Sequence, residues 1–167
     1  MFLVTILIGV FSRLFIHIPN VTALTSLCLL APSAFSKRDA FLIIATILLL
    51  SDLLLHFMLH YPVLGFWTFF NYSGWFATLF AGFLLQKQFT FSRALIFTFL
   101  TSVLFWIWTN LGTWFATGMY APTPSGLLQC YIAGLPFLRN AVIGSLVWTA
   151  VLSFAYQRRY KVSSVTI

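Results

Sequence analysis

From Ala40 to His60 the chain reads Phe41-Leu42-Ile43-Ile44-Ala45-Thr46-Ile47-Leu48-Leu49-Leu50, then Ser51-Asp52-Leu53-Leu54-Leu55-His56-Phe57-Met58-Leu59. Asp52 is the one charged residue in that run. A helix that crosses the hydrocarbon core of a bilayer needs about 20 mostly apolar residues, and this stretch supplies them. The rest of the chain follows suit. Its 167 residues are 61% hydrophobic and 7% charged, with a mean hydropathy of +1.00. Soluble domains carry about a quarter charged residues to solvate their surface. A soluble enzyme, a disordered tail and a secreted disulfide scaffold therefore all fit poorly.

Working outward, apolar runs place spans near residues 2–16, 20–35, 40–60, 62–85, 94–117 and 136–157. This predicts an all-α integral membrane bundle of about six transmembrane helices in a single domain, 1–167, with short loops. The weakest boundary is the split of the first 35 residues at His17-Ile18-Pro19-Asn20. Pro19 lacks a backbone donor and disfavours helix in the residue before it, and Asn20 is suited to cap a second helix. A five-span chain with these segments merged is the alternative. Ala31-Pro32-Ser33-Ala34 faintly resembles a signal-peptide cleavage site, but no charged region precedes it and Arg13 interrupts the apolar segment.

The charges orient the spans. Lys37 and Arg38, Lys87 and Arg93, and Arg158, Arg159 and Lys161 all fall on one face of a six-span chain, which the positive-inside rule makes cytoplasmic. The expected location is the cell membrane, a bacterial inner membrane, with both termini inside. The net charge of +7 comes without a basic helix face or an RNA-binding motif, so no nucleic acid partner is expected. Arg13 lies near the opposite edge. That face has loops containing His60-Tyr61-Pro62 and Ala121-Pro122-Thr123-Pro124-Ser125-Gly126. Cys28 and Cys130 are read as free thiols, with no metal-binding spacing and no cofactor implied.

Polar residues inside the spans are the functional candidates, because a charge in mid-membrane costs about 2.5 kcal/mol or more unless it faces protein or water. Asp52, His56 and His60 share one helical stripe about 12 Å long. Such a stripe suits proton relay, a shared metal ion between neighbours, or a polar substrate; simple helix packing is the competing reading. Arg139 in the sixth span is the expected partner of Asp52, and contact of Arg139 with an anionic ligand is equally allowed. Spans four and five repeat one pattern, Trp67-Asn71-Trp75 and Trp106-Asn110-Trp114 at i, i+4, i+8. Amides that fix a ligand and indoles that stack on it make a small-molecule pocket, though interfacial anchoring of Trp explains part of the pattern. Most of these groups belong to the outer half, which predicts a site open to the outside. Polar groups across the full depth, as a channel needs, are missing, and so is a protease constellation. Span four also carries Ala77-x-x-x-Ala81 and Gly74-x-x-x-Thr78-x-x-x-Gly82, spacings that let helices approach closely, within the protein or against a scaffold partner.

Thr109-Asn110-Leu111-Gly112-Thr113-Trp114, Met119-Tyr120-Ala121-Pro122-Thr123, Gly126-Leu127, Cys130-Tyr131 and Leu135-Pro136-Phe137-Leu138-Arg139-Asn140 together resemble a family of small bacterial multi-pass membrane proteins without an assigned function. Ser51-Asp52 and Arg13…His17-x-Pro19-Asn20 fit the same pattern. The size and span count are further similar to the substrate-binding S components of energy-coupling-factor vitamin transporters. That resemblance implies a vitamin site near the outer face and docking through small residues. It also implies an Ala-x-x-x-Ala signature on the first span, and here it stands on the fourth. Cobalamin handling by Cys130 or His17 is a minor possibility of the same resemblance.

The sequence thus favours substrate binding or uptake without enzymatic activity, since a lipid enzyme finds no nucleophile–base pair. Asp52, His56, Asn71, Trp75, Trp106, Asn110 and Arg139 are the expected substrate contacts. The alternative is a structural or assembly subunit that recruits a membrane partner through Ala77 and Ala81.

Overall fold

The computed structural model describes residues 1–14, 18–60 and 64–163, with side chains as far as Tyr156. The chain is an all-α bundle: α1 (Phe2–Leu14), α2 (Leu24–Ala34), α3 (Lys37–Leu59), α4 (Phe66–Leu85), α5 (Phe91–Ala116) and α6 (Pro124–Ser163). A single 3-10 turn, Gln86–Gln88, follows α4. Local chemistry sets the boundaries. Ser36 caps α3 by accepting from the Asp39 N–H at 3.1 Å, and its hydroxyl donates to the Asp39 carboxylate at 2.8 Å. Thr90 caps α5 through the Arg93 N–H. His60, at φ 56°, turns the chain out of α3 in the left-handed region.

α2 is the hub. Every residue from Leu24 to Pro32 is buried, so this helix is apolar all round. It packs on α4, α5, α6, α3 and α1. Gly82 permits the closest approach: a side-chain carbon there would stand 2.5 Å from the Cys28 carbonyl oxygen of α2. Thus Gly74, Thr78 and Gly82 face the interior. Ala77 and Ala81, together with Gly74 and Thr78, line an apolar groove between α4 and α5.

The distribution of polarity is inverted relative to a soluble protein. Leu3, Leu49, Phe80, Leu104, Val147 and Phe154 are exposed, whereas Ser26, Ser51, Thr98, Ser102 and Thr149 are buried. Ser26 donates to the Ser145 carbonyl at 2.9 Å, Thr149 donates to Ser26 at 2.9 Å, and Thr98 meets Thr149 at 2.8 Å. This hydroxyl chain joins α2, α5 and α6 without a charge. Three helices, Lys37–Leu59, Phe91–Ala116 and Pro124–Tyr156, are long and apolar enough to cross a membrane. α1 and α2, at 13 and 11 residues, are shorter apolar helices of about 20 Å and 16 Å.

Two sequence expectations change. The chain does divide between α1 and α2, but Asn20 does not cap α2. It sits at φ 63° in the turn, and the Ala23 N–H is satisfied instead by Ser12 Oγ at 3.0 Å. The stretch 124–135, expected as part of an outer loop, is helix and continuous with α6 through Pro136. Thr123 accepts from the Gly126 N–H at 3.2 Å, and Pro124 occupies the first helical position, where a missing N–H is harmless.

Candidate functional site

The site begins with the register of α1 on α3. Gly9 packs directly on the Ile47 side chain, where a Cβ would run into Ile47 Cδ1, so α1 and α3 approach closely here. One turn further along both helices, Arg13 meets Ser51 and Asp52. Arg13 Nη2 is 2.8 Å from Asp52 Oδ1, and Arg13 Nη1 donates to Ser51 Oγ. The Ser51 hydroxyl uses its own hydrogen on the Ile47 carbonyl, which leaves a lone pair for the guanidinium. From α4, Tyr72 OH donates to Asp52 Oδ2 at 2.7 Å. Asp52 thus accepts on both oxygens and ties three helices together. Its partner is Arg13, not Arg139. Arg139 is exposed on α6 and makes no ion pair with a described residue. The reason is periodicity: Phe137 and Ala141, four residues apart, face inward, so Arg139 between them faces out.

Above this cluster lies a cavity of about 540 Å³, lined by α2, α4, α5, α6, Arg13 and the α1–α2 turn. Asn71 and Trp75 reach it from α4, and Trp106 and Asn110 from α5. A second chamber of about 370 Å³ shares Arg13, Asn71 and Trp75 and adds Asp52, Tyr72 and Trp67. Five of the seven residues singled out in the sequence therefore gather at two adjoining spaces. His56 lines neither and packs edge-on against Phe57. His60, the end of the expected stripe, is exposed. Trp114 also lies apart, with its indole N–H on the Ala121 carbonyl at 2.9 Å. His17, Tyr61 and Pro62 lie outside the described residues.

The cavity owes its existence to the helix over 124–135. α5 presents Ser102, Phe105, Trp106, Thr109, Asn110 and Thr113, all on one face at i, i+3, i+4, i+7, i+8, i+11. Opposite stand Cys130, Ala133, Gly134, Phe137 and Ala141 of α6, mostly small residues at matching helical spacing. Gly134 also accepts the Trp106 indole N–H at 2.9 Å, and a Cβ on it would stand 2.5 Å from Asn110 Oδ1. Sequence reasoning missed Arg13, Ser102, Thr109 and Thr113. The last three follow from extending the Trp106/Asn110 stripe by single turns, whereas Arg13 needed the α1–α3 register.

Ser102 lines the cavity from α5 and is 3% exposed. Its hydroxyl oxygen, like that of Ser153 elsewhere in the bundle, is enclosed and has no hydrogen-bond partner among the described residues.

The comparisons with known proteins give membership without activity. The chain belongs to a family of unknown function, DUF6580, whose model matches residues 1–164. No curated protein matches it, and no solved structure does.

Proposed function

We propose that this family member is a multi-pass membrane protein that binds a small molecule, for storage, delivery or uptake, in the cavity between α4, α5 and α6. One observation carries the reading: amides, hydroxyls, indoles and a guanidinium converge on a space of about 540 Å³. That volume lies in the usual range for small-molecule sites, which combine aromatic walls with a few polar groups.

A multi-pass topology with both termini cytoplasmic, in a cell membrane, remains part of this proposal. The basic residues Lys37, Arg38, Lys87 and Arg93 stand at the end of the bundle away from the cavity, which supports an outward-facing site. The short α1 and α2 support it too. They fall short of the roughly 30 Å hydrocarbon core, so their connecting turn lies at membrane depth. Non-helical backbone is tolerated there only when it is buried in protein or lines a watered cavity, and Asn20 and Thr22 line this one. The likeness to vitamin-binding S components belongs to the same proposal, supported by the six helices and the cavity beside the outer turns.

An assembly role for the outer surface is a second reading. Ala77 and Ala81 line an open groove of about 480 Å³ between α4 and α5, which suits a neighbouring helix.

Small molecules extracted from the purified protein and identified by mass spectrometry test the main reading. Wild type should release a stoichiometric compound that Ala141→Trp lacks. Equal extracts from the two proteins would refute it.

A further inference from the structure

If the cavity holds a ligand, as proposed above, the hydrogen bonds of its walls define the ligand's chemistry. Along α5 most donors are already committed. Thr109 donates to the Phe105 carbonyl at 2.9 Å and Thr113 to the Thr109 carbonyl at 3.0 Å. Asn110 Nδ2 gives one of its two N–H groups to the Trp106 carbonyl at 2.9 Å, and Trp106 gives its single N–H to Gly134. The oxygens of Thr109, Asn110 and Thr113 keep lone pairs, so this wall mainly accepts hydrogen bonds, with one Asn110 N–H left to donate.

On the α1 side the wall donates. A guanidinium has five N–H groups, and Ser51 and Asp52 take one each. Among the described residues Arg13 is also the one charged side chain lining the large cavity, and Asp52 at 2.8 Å balances it. The chamber is electrically neutral. A ligand with net charge would enter apolar surroundings without compensation.

We propose that the cavity selects a net-uncharged heteroaromatic molecule. Its carbonyl-type acceptors face Arg13, and its N–H or O–H donors face Thr109, Asn110 and Thr113. Trp75, Phe105 and Trp106 hold the plane of its rings. From Ser102 to Thr113 the cavity runs about 16 Å along α5, which accommodates two or three fused rings.

The test uses matched pairs that differ in charge: uracil and orotate, hydroxymethylpterin and pterin carboxylate, riboflavin and riboflavin phosphate. Binding to the full-length protein in detergent is read by native mass spectrometry and by the shift in thermal unfolding. At least one neutral member should bind about tenfold or more tightly than its charged twin. Thr109→Val should weaken that binding without lowering the unfolding midpoint of the ligand-free protein. A charged twin that binds as well or better overturns the preference for neutral ligands while leaving the ligand cavity standing. Binding by none of the six overturns the proposal. The ligand-cavity reading falls with it only if protein taken directly from its membrane also carries no bound molecule.

Discussion

Arg13 and Asp52, on α1 and α3, form an ion pair at 2.8 Å, and the Tyr72 hydroxyl closes on the second carboxylate oxygen from α4. Both charged side chains are largely buried, 19% and 12% exposed. Breaking such a pair leaves one charge uncompensated, which is worse than removing both. Asp52→Asn or Arg13→Gln alone should lower stability in detergent by about 3 kcal/mol. The double substitution should recover part of that loss. A double variant less stable than either single one would contradict the pairing.

Tyr72→Phe removes one hydrogen bond to a charged acceptor and nothing else of size. Thermal unfolding should show a loss of about 1.5–3 kcal/mol. In an Asp52→Asn background the same substitution should matter much less, because the charged acceptor has gone. Additive losses would argue that Tyr72 acts elsewhere.

Arg139→Ala should change stability by no more than about 0.5 kcal/mol, since the side chain is exposed and makes no ion pair with a described residue. Unfolding on that substitution would restore Arg139 as an interior partner.

Gly82 and Ala77 on α4 should respond differently to enlargement. Gly82→Leu drives side-chain atoms into the α2 backbone at Cys28 and should destabilise by about 1–3 kcal/mol or more. Ala77→Leu points into the open groove and should leave the unfolding midpoint unchanged. If a scaffold partner exists, crosslinking yield should fall with Ala77→Leu alone.

Much of this architecture is written in local pattern. The apolar runs locate the helices, and the repeated Trp-Asn spacing identifies Asn71, Trp75, Trp106 and Asn110, which line one cavity. The pairing of Asp52 was not legible, because it depends on a parallel register between α1 and α3 that only the packing at Gly9 and Ile47 establishes. The helix over 124–135 was hidden by Pro122, Pro124 and Gly126, which read as loop residues. In context Thr123 caps and Pro124 starts a helix, and Gly126 packs beneath the Ala121 carbonyl. His56 shares the stripe with Asp52 but lines neither cavity and packs edge-on against Phe57.

Native mass spectrometry of the protein released from its own membrane, beside Ala133→Phe, addresses the central claim most directly. Ala133 lines the cavity opposite the α5 face, so a phenyl ring there fills the ligand's space. Wild type should carry one small non-lipid adduct, and Ala133→Phe should fold equally well and carry none. Wild-type protein of bare mass, or an adduct that persists in folded Ala133→Phe, would contradict the account.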